Sequence, residues 1–492
     1  MTDPTPKKLS ELGLSTDRDV TVSGICIDSR DTKAGDLFGA LPGSRVHGGE
    51  FIKYALRMGA AAILTDQRGY DLAAKELKAS GVPVVVSQHP RRALARASSA
   101  FFEWQPGKIV AVTGTNGKTS VTSFIRQIWE GLGLSAVNFG TAGVEGAVAR
   151  NLSHTTPEPV TLHRLLRDLV EAGVTHASME ASSHGLDQSR LDGVLLSAGA
   201  FTNFSQDHLD YHHTLEAYFD AKMGLFARVI PEGGTAVVNI ADPKGAEVTE
   251  IARRARLNVV TYGSPEADLA LSGHRFTDTG QDIQLDWKRE GGRVHLPLIG
   301  RFQAENVCAA LGLALATGAE FSDCLPILQR MEGVRGRMQL AATRQNGAPV
   351  YVDYAHTPDA VSTALKALRP HVMGRIVVVL GAGGDRDSGK RPMMGKAAAE
   401  NADVVIVTDD NPRNEDPSHI RAEVLAGAPE ANEIGDRAHA ILAGADALRP
   451  GDALLIAGKG HETGQIVGND VLPFDDVEQA SIAVAALDGR RA

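Results

Sequence analysis

Short apolar runs recur along the chain, and each ends in a turn that contains glycine, aspartate or asparagine before a segment with helical spacing. Strands that are apolar throughout and alternate with helices are typical of parallel sheets covered on both faces. The pattern therefore predicts an α/β fold, in which ligands bind at the carboxyl ends of the strands. The runs are Ile109–Val112, Ala236–Asn239, Val350–Asp353, Ile376–Leu380, Val404–Thr408 and Ala453–Ala457.

The length of the chain and the breaks in this pattern predict three domains. At 492 residues the chain exceeds what a single hydrophobic core usually serves. The Gln105-Pro106-Gly107 stretch has the composition of a linker. We expect an N-terminal α/β domain over residues 1–106, a central phosphate-loop domain with a mostly parallel sheet over 107–337, and a Rossmann-like α/β domain over 338–492.

Composition and charge argue against several classes of protein. The formal net charge is -10, from 50 Lys and Arg against 60 Asp and Glu, which argues against a general nucleic-acid binder. The N-terminal residues 1–14 lack the apolar stretch of a signal peptide, and no apolar run reaches the length of a membrane helix. Cys26, Cys308 and Cys324 lie far apart, which fits a reducing compartment. We expect a cytoplasmic monomer without membrane insertion.

A glycine-rich loop follows the strand at Ile109. The sequence Val-Ala-Val-Thr-Gly-Thr-Asn-Gly-Lys-Thr-Ser ends at Ser120 and opens a helical pattern. Such a loop lets backbone N–H groups approach phosphate oxygens, while a lysine supplies charge and a hydroxyl binds Mg²⁺. The alternative is a plain strand–turn–helix with a surface lysine. The predicted nucleotide-binding residues of the loop are Gly114, Thr115, Asn116, Gly117, Lys118, Thr119 and Ser120.

Two further segments contain groups that bind metals. Glu180 follows an apolar segment, and a carboxylate at a strand end is a suitable Mg²⁺ ligand beside the hydroxyl of the loop. The stretch from Thr202 to His213 is rich in histidine and aspartate. By itself this cluster is compatible with a zinc site or with a solvated loop.

The phosphate loop departs from the strict pattern because Val112 stands where the first glycine is expected. Its shorter form, Thr-Gly-Thr-Asn-Gly-Lys-Thr, resembles the ATP loop of the Mur ligases and the folylpolyglutamate synthetases. The resemblance to the Mur ligases implies ATP as co-substrate and Mg²⁺ as cofactor. It implies His208 near a second Mg²⁺ and a carbamylated Lys222, whose carboxylate would be an oxygen ligand. The implied catalytic residues are Lys118, Glu180, His208 and Lys222, and the implied metal ligands are Thr119, Glu180, His208 and carbamylated Lys222.

The same resemblance extends to other positions that meet the nucleotide in this family. Asn306 directly precedes an alanine-rich helical segment, Val307–Leu315. Arg337 closes the Gly333–Arg337 stretch, and Asp353 and His356 open the C-terminal domain. Core packing and exposed charged loops are the alternative interpretations of these segments. The family implies that Asn306, Arg337, Asp353 and His356 contact ATP.

Three polar loops follow three strands of the C-terminal domain, at residues 381–392, 409–413 and 458–462. Arg386, Arg413 and Glu462 suit an amino acid, since a guanidinium holds a carboxylate in two parallel bonds and a glutamate accepts an ammonium. The Asp-Asn-Pro-Arg string resembles the signature of Mur ligases that bind meso-diaminopimelate, whereas relatives that add L-lysine lack this arginine. The predicted binding residues are Arg386, Asp410, Asn411, Pro412, Arg413, Gly458 and Glu462.

Positions elsewhere resemble the part of the family that holds the UDP-linked precursor. The family's His-Gln-Ala is replaced by Ser44-Arg45-Val46, and an asparagine by His154. The implied precursor-binding residues are Ile27, Ser29, Ser44, Arg45, Val46, His154, Thr155, Thr156, Ser182, Gln188 and Arg190.

The resemblance implies an amide ligase that adds meso-diaminopimelate to the D-Glu γ-carboxylate of UDP-MurNAc-L-Ala-D-Glu through an acyl phosphate. Its partners would be small molecules: ATP, the UDP-linked precursor and the amino acid. Rivals within the fold are a folylpolyglutamate synthetase and a ligase for L-lysine, and the Asp-Asn-Pro-Arg string argues against both. A phosphate-loop NTPase acting as a switch or motor is the rival from another class. That interpretation does not explain the loops that contain Arg386, Arg413 and Glu462.

Overall fold

The computed structural model describes residues 4–43, 46–141, 143–150, 152, 155–277 and 280–489. Across these residues, no helix combines the length and the apolar character that crossing a membrane requires.

The first hundred residues contain a small parallel sheet with the strand order β3-β4-β5-β6. Strands β1 and β2 form a separate antiparallel pair. The strands are β1 (Lys7–Lys8), β2 (Thr21–Val22), β3 (Gly24–Cys26), β4 (Asp36–Ala40), β5 (Ala62–Thr65) and β6 (Val84–Val86). The helices are α1 (Ile52–Met58), α2 (Gln67–Leu72), α3 (Ala74–Ser80) and α4 (Pro90–Phe102), with 3-10 turns at Leu9–Leu12 and Gly48–Phe51.

The middle of the chain alternates strands and helices before three longer strands. The strands are β7 (Lys108–Thr113), β8 (Ala136–Gly140), β9 (Gly143–Gly146), β10 (His176–Glu180), β11 (Ala198–Phe201), β12 (Thr235–Asn239), β13 (Asn258–Tyr262), β14 (Leu269–Thr277), β15 (Gly280–Trp287) and β16 (Glu290–Leu296). The helices are α5 (Lys118–Gly131), α6 (Pro159–Glu171), α7 (Ser183–Asp187), α8 (Leu209–His212), α9 (Leu215–Gly224), a π-helical turn (Leu225–Val229), α10 (Gly245–Arg254) and α11 (Arg301–Ala316).

The last third returns to regular alternation. Its strands are β17 (Gln339–Thr343), β18 (Pro349–Asp353), β19 (Ile376–Leu380), β20 (Val404–Val407), β21 (Asn432–Glu433), β22 (Ala453–Ala457), β23 (Gly464–Val467) and β24 (Asp470–Pro473). Its helices are α12 (Phe321–Leu328), α13 (Pro358–Leu368), a 3-10 turn (Arg369–His371), α14 (Lys390–Asn401), α15 (Pro417–Leu425), α16 (Arg437–Asp446) and α17 (Asp476–Leu487).

The chain divides into two compact units. Unit 1 comprises Met1–Phe204, His212–Thr261 and Gly312–Ala319, and unit 2 comprises Ser205–Tyr211, Tyr262–Leu311 and Glu320–Ala492. In unit 1 the strand order is β13-β12-β11-β7-β10-β8-β9. The pairs β12–β11, β11–β7, β7–β10 and β10–β8 are parallel, so the carboxyl ends of these strands lie at one edge of the sheet.

Unit 2 contains a six-stranded sheet with the order β17-β18-β22-β19-β20-β21, and only β17 runs antiparallel to its neighbour. Alternate residues of β19 enter different apolar clusters: Ile376, Val378 and Leu380 pack on one face, and Val377 and Val379 on the other. Both faces are covered by helices, which explains why the strand is apolar at every position. The strands β14, β15 and β16 of this unit form antiparallel pairs.

The structure confirms the α/β class and all six strands predicted from apolar runs, with ends shifted by one residue at most. The phosphate loop is followed by α5, as predicted. The alanine-rich segment begins earlier than predicted, at Arg301, so Asn306 lies inside helix α11. The three-domain boundaries stay a prediction.

A buried ion pair joins two helices of unit 2. Arg437 Nε and Nη2 donate to the two carboxylate oxygens of Asp476, each at 2.7 Å, and both side chains have no solvent exposure. Arg437 also donates to the carbonyl of Ala457 at the end of β22 (3.0 Å). The pair therefore fixes the end of a central strand against α16 and α17.

Replacing Asp476 by Ala would leave the Arg437 charge buried without its carboxylate. We expect a loss of about 3–5 kcal/mol of folding free energy in unit 2, measured as a lowered thermal unfolding midpoint. Glu400→Ala is the matched control, because it breaks the exposed pair with Lys396 (3.7 Å) and should cost no more than about 0.5 kcal/mol. Equal midpoints for the two variants would contradict the structural role of the buried pair.

Candidate active site

The phosphate loop connects β7 to α5 in unit 1, and its conformation requires glycine. Gly114 has φ 148° and Gly117 has φ 87°. A Cβ at Gly114 would lie 1.9 Å from Thr202 Oγ1, which is impossible without a rearrangement. The backbone N–H groups of Thr115 and Asn116 donate to the carbonyl and the side-chain oxygen of Asn203, both at 2.9 Å. The loop is thus held against the segment that follows β11.

Two lysines meet at one carbonyl of this loop. Lys118 Nζ donates to the carbonyls of Gly114 (3.0 Å) and Thr115 (2.7 Å), and Lys222 Nζ donates to Gly114 at 2.7 Å. Lys222 is 1% exposed and lies 4.4 Å from the ring centroid of Tyr218. Two ammonium groups beside the N-terminus of a helix create a strongly positive site, which suits a polyphosphate.

Glu180 ends β10 and is buried at the same edge of the sheet, with 2% exposure. Its Oε1 accepts hydrogen bonds from Thr119 Oγ1 and from the Thr141 N–H, both at 3.0 Å. A Cβ at Gly140 would lie 2.1 Å from this oxygen, so that glycine makes room for the carboxylate. A hydroxyl and a carboxylate in contact beside the phosphate loop form a donor set that fits Mg²⁺.

The predicted peptide-binding residues are connected to Glu180 through hydrogen bonds. Thr156 Oγ1 donates to the carbonyl of Glu180 at 2.9 Å and lies 3.0 Å from Ser182 Oγ. Arg190 Nη1 donates to the carbonyl of Thr156 (2.6 Å), and Nη2 donates to Gln188 Oε1 (2.9 Å). Thr155 joins the group through Thr141, with their Oγ1 atoms 3.1 Å apart. The structure therefore brings Thr155, Thr156, Ser182, Gln188 and Arg190 together.

An arginine that the sequence did not single out supports this segment. Arg228 lies in the π-helical turn after α9 and donates to Ser189 Oγ (3.0 Å) and to the carbonyl of Leu186 (2.7 Å). It also pairs with the buried carboxylate of Asp192. The turn between Gln188 and Arg190 is thereby fixed to the helix that contains Lys222. Nothing in the sequence distinguishes Arg228 from an ordinary helix-surface arginine.

The structure describes only part of the predicted precursor-binding residues. Ser44, Arg45 and His154 lie outside the described residues. Ile27 follows β3 and is 37% exposed, and Val46 is 44% exposed. Ser29 is half-buried in the turn after β3. Two exposed apolar side chains are compatible with stacking on a planar base.

In unit 2, Asp353 ends β18 and accepts a hydrogen bond from the Met338 N–H at 2.7 Å. Burial raises the pKa of the Asp353 carboxyl, although the nearby Arg337 guanidinium acts in the opposite direction. The Arg337 guanidinium lies 4.7 Å from the ring centroid of Tyr354. His356 Nδ1 lies 2.8 Å from the carbonyl of Tyr354. Three of the predicted nucleotide-binding residues thus surround Tyr354, which was not predicted.

Asn306, a predicted ATP contact, and His208, a predicted metal ligand, lie in different surroundings. Asn306 is 6% exposed inside α11, and its amide donates to Gln303 Oε1 at 3.1 Å. The His208 side chain is 44% exposed, and its Nε2 lies 3.5 Å from Asp207 Oδ2. Among the described residues, no group of three or more His, Cys, Asp and Glu side chains is arranged to hold a metal ion. The zinc interpretation of the 202–213 segment therefore gains no support.

The predicted amino-acid loops meet at the carboxyl ends of β19, β20 and β22. The Gly384 N–H donates to the carbonyl of Asn411 (2.9 Å), and Arg413 Nη1 donates to the carbonyl of Gly384 (2.7 Å). A Cβ at Gly458 would lie 2.5 Å from Asp410 Oδ2. A Cβ at Gly384 would lie 1.9 Å from the carbonyl oxygen of Pro412. The close approach of the three loops requires glycine at these positions.

The two predicted arginines approach the same glycine. An ideal Cβ at Gly383 would lie 2.9 Å from Arg413 Nη1 and 3.9 Å from Arg386 Cγ. Arg386 is exposed, whereas the Arg413 backbone has φ 52° and is fixed by hydrogen bonds to Ile466 (3.0 Å) and Gly468 (2.7 Å). One arginine is therefore positioned by its backbone, and the other extends toward solvent near it.

A hydrogen-bonded trio lies beside these arginines. Asn411 Nδ2 donates to Glu462 Oε2 at 2.8 Å, and Asn411 Oδ1 accepts from Lys459 Nζ at 2.8 Å. Lys459 has no solvent exposure, and its Nζ lies 3.4 Å from Glu462 Oε2. Asn411 and Glu462 were predicted from the sequence, but Lys459 was not. The position of Lys459 between Gly458 and Gly460 was the sequence feature from which it could have been predicted.

Three successive parts of the chain match domain families of the Mur ligases. Residues 21–102 match the domain family described as Mur ligase family, catalytic domain. Residues 112–314 match the Mur ligase middle domain, and residues 336–460 match the Mur ligase, glutamate ligase domain.

Individual relatives match nearly the whole chain. A UDP-N-acetylmuramoyl-L-alanyl-D-glutamate--2,6-diaminopimelate ligase of Bradyrhizobium diazoefficiens is 50% identical over 94% of this chain and 95% of its own length. The ligase of the same name from Brucella melitensis is 47% identical over 97% of each chain. A solved structure of a ligase with this name is 33% identical, covers 98% of this chain and 99% of its own, and superposes with a TM-score of 0.73.

Gly114→Ala tests whether the phosphate loop has the function that its geometry indicates. We expect the dissociation constant for a fluorescent ATP analogue to rise at least tenfold, because the new Cβ collides with Thr202 and displaces the loop. Gly133→Ala is the control: Gly133 also has a positive φ, 78°, but a Cβ there meets nothing within 4 Å. It should cost about 1 kcal/mol of stability through backbone strain and leave nucleotide affinity unchanged. Unchanged affinity in both variants would remove the loop from the nucleotide site.

Proposed function

The chain belongs to the Mur ligase family, and we propose that it catalyses the ATP-dependent addition of meso-diaminopimelate to UDP-MurNAc-L-Ala-D-Glu. The amide forms at the γ-carboxylate of the D-Glu residue. The proposed substrates are a nucleotide, a UDP-linked precursor and a small amino acid, and from them we infer a reaction in the cytoplasm. The names of near-full-length relatives at 47–50% identity support this proposal.

The observation on which the choice of amino acid rests is the grouping of Arg386, Arg413, Asn411 and Glu462 at three adjacent strand ends. Meso-diaminopimelate has an amino and a carboxylate group at each end of its carbon chain. A guanidinium binds the distal carboxylate in two parallel hydrogen bonds. L-Lysine has no distal carboxylate, so the Arg413 guanidinium would lack a carboxylate partner in a complex with lysine.

The reaction divides into two displacements. An oxygen of the γ-carboxylate attacks the terminal phosphorus of ATP, a new P–O bond forms, and ADP leaves. The amine of diaminopimelate then attacks the acyl carbon, the C–O bond to phosphate breaks, and the nitrogen loses a proton. In this scheme Lys118 offsets the negative charge of the transferring phosphoryl group. Arg190, Thr155 and Thr156 hold the peptide near Glu180.

The same scheme assigns Mg²⁺ to Thr119 and Glu180, whose oxygen atoms are in contact (3.0 Å). When bound there, Mg²⁺ would neutralise phosphate charge. We further assign a carbamate to Lys222, formed by its amine with CO₂ and loss of a proton. Carbamylation leaves one N–H on Nζ, so the hydrogen bond to the Gly114 carbonyl (2.7 Å) can persist. The role of His208 as a metal ligand stays a prediction.

The proposed reaction is tested by phosphate release from ATP in the presence of Mg²⁺ and UDP-MurNAc-L-Ala-D-Glu. Meso-diaminopimelate, L-lysine and no amino acid are compared in parallel. We expect release only with meso-diaminopimelate. Release with L-lysine alone would overturn the assignment of Arg413, and release without any amino acid would favour an NTPase.

Arg413→Ala tests the contact with the distal carboxylate. Loss of a charge-assisted hydrogen-bond pair, about 1.5–3 kcal/mol, should raise the KM for meso-diaminopimelate by about 10- to 150-fold. The KM for ATP should stay the same. Arg293→Ala serves as control, because its side chain is 68% exposed and lies far along the chain from the three loops. An equal rise in both Michaelis constants for Arg413→Ala would show that the substitution perturbs the whole site.

A further inference from the structure

Lys459 is a charged side chain without solvent contact in the middle of the amino-acid loops. Its exposed fraction is 0%, and lysine is almost never fully buried unless it is paired. The flanking Gly458 and Gly460 have φ 119° and 56°, conformations that residues with a side chain rarely adopt. Its hydrogen-bond acceptors are Asn411 and Glu462. The burial of this ammonium is therefore tied to two residues of the amino-acid site.

The contact fixes the orientation of the Asn411 amide. Asn411 Oδ1 accepts from Lys459 Nζ (2.8 Å) and from the Ile466 N–H (3.0 Å), so the oxygen side of the amide is defined by two donors. The NH₂ side consequently faces Glu462, to which it donates at 2.8 Å. A flipped amide would place its NH₂ group against an ammonium. The charge of Lys459 thus prevents the amide from rotating.

The same arrangement gives the two carboxylate oxygens of Glu462 different surroundings. Oε2 accepts from Asn411 and lies 3.4 Å from Lys459 Nζ. Across the residues that the structure describes, no protein hydrogen bond reaches Oε1 of Glu462. One oxygen is therefore held by the protein, and the other remains available to an ammonium group of the amino acid.

We propose that Lys459 is a positioning residue for amino-acid binding, which orients the Asn411 amide and directs one oxygen of Glu462 to the substrate. The proposal rests on the proposed function in taking Glu462 as the ammonium acceptor. Lys459 itself does not touch the substrate. Its effect should therefore appear in the affinity for the amino acid and not in the affinity for ATP.

The test compares Lys459→Met and Lys459→Gln in the full-length protein with the unmodified protein. Methionine keeps the length of the side chain without the charge, and glutamine keeps an NH₂ donor. We expect Lys459→Met to raise the KM for meso-diaminopimelate about 10- to 100-fold, as is typical for hydrogen bonds to charged groups. The KM for ATP should change less than twofold, and Lys459→Gln should recover part of the loss. Lys396→Met is the control, because Lys396 is exposed in the same unit.

A double-mutant cycle with Asn411→Ala separates positioning from general stabilisation. If Lys459 acts through Asn411, then Lys459→Met should add less than threefold to the KM of the Asn411→Ala variant. Additive losses would overturn the proposal, as would equal rises in the KM for ATP and for the amino acid. Should Lys459→Met fail to fold, the cycle is run with Lys459→Gln and the same criteria apply.

The proposed function is checked separately with the unmodified protein. If that protein uses an amino acid other than meso-diaminopimelate, the proposed function fails. The effect of Lys459 is then measured on the KM for the amino acid that is used. No coupling to Asn411 there would overturn the role of Lys459 independently.

Discussion

A charged side chain that is buried in the protein interior has to be paired, and this constraint shapes both units. An ion without a partner in a low-dielectric interior costs several kcal/mol. In unit 1 the buried carboxylate of Glu180 accepts hydrogen bonds from Thr119 and Thr141, and the buried Nζ of Lys222 donates to the Gly114 carbonyl. In unit 2 Lys459 is paired with Asn411 and Glu462. The chemistry of the site is built from these pairs.

The pairs also hold the groups that we propose to bind substrate in place before a substrate arrives. Glu180 links the phosphate loop to Thr156, and Thr156 is linked in turn to Arg190. The Arg413 backbone is fixed by the strand that contains Ile466, so its guanidinium starts from a defined position. Groups that are already oriented lose little entropy on binding, which favours both affinity and rate. In the proposed function, specificity for an amino acid then depends on a few side chains whose neighbours prevent rotation.

Much of this could be predicted from the sequence, because local patterns determine it. The apolar runs predicted six strands of the parallel sheets. The phosphate loop and the Asp-Asn-Pro-Arg string predicted residues that the structure brings together. The antiparallel strands β14–β16 were not predicted, since they are partly exposed and lack a uniform apolar pattern. Lys459, Arg228 and the Arg437–Asp476 pair were also missed. Their importance depends on burial and on partners up to 48 residues away, which no local pattern encodes.

In the proposed reaction a carboxylate is activated by phosphorylation and then captured by meso-diaminopimelate. The most direct measurement uses UDP-MurNAc-L-Ala-D-Glu labelled with ¹⁸O in the γ-carboxylate, together with ATP, Mg²⁺ and meso-diaminopimelate. Mass spectrometry of the released phosphate should show one ¹⁸O atom per molecule, because the carboxylate oxygen leaves with the phosphoryl group. Unlabelled phosphate, released while the labelled carboxylate stays intact, would show that water attacks ATP and would contradict the account.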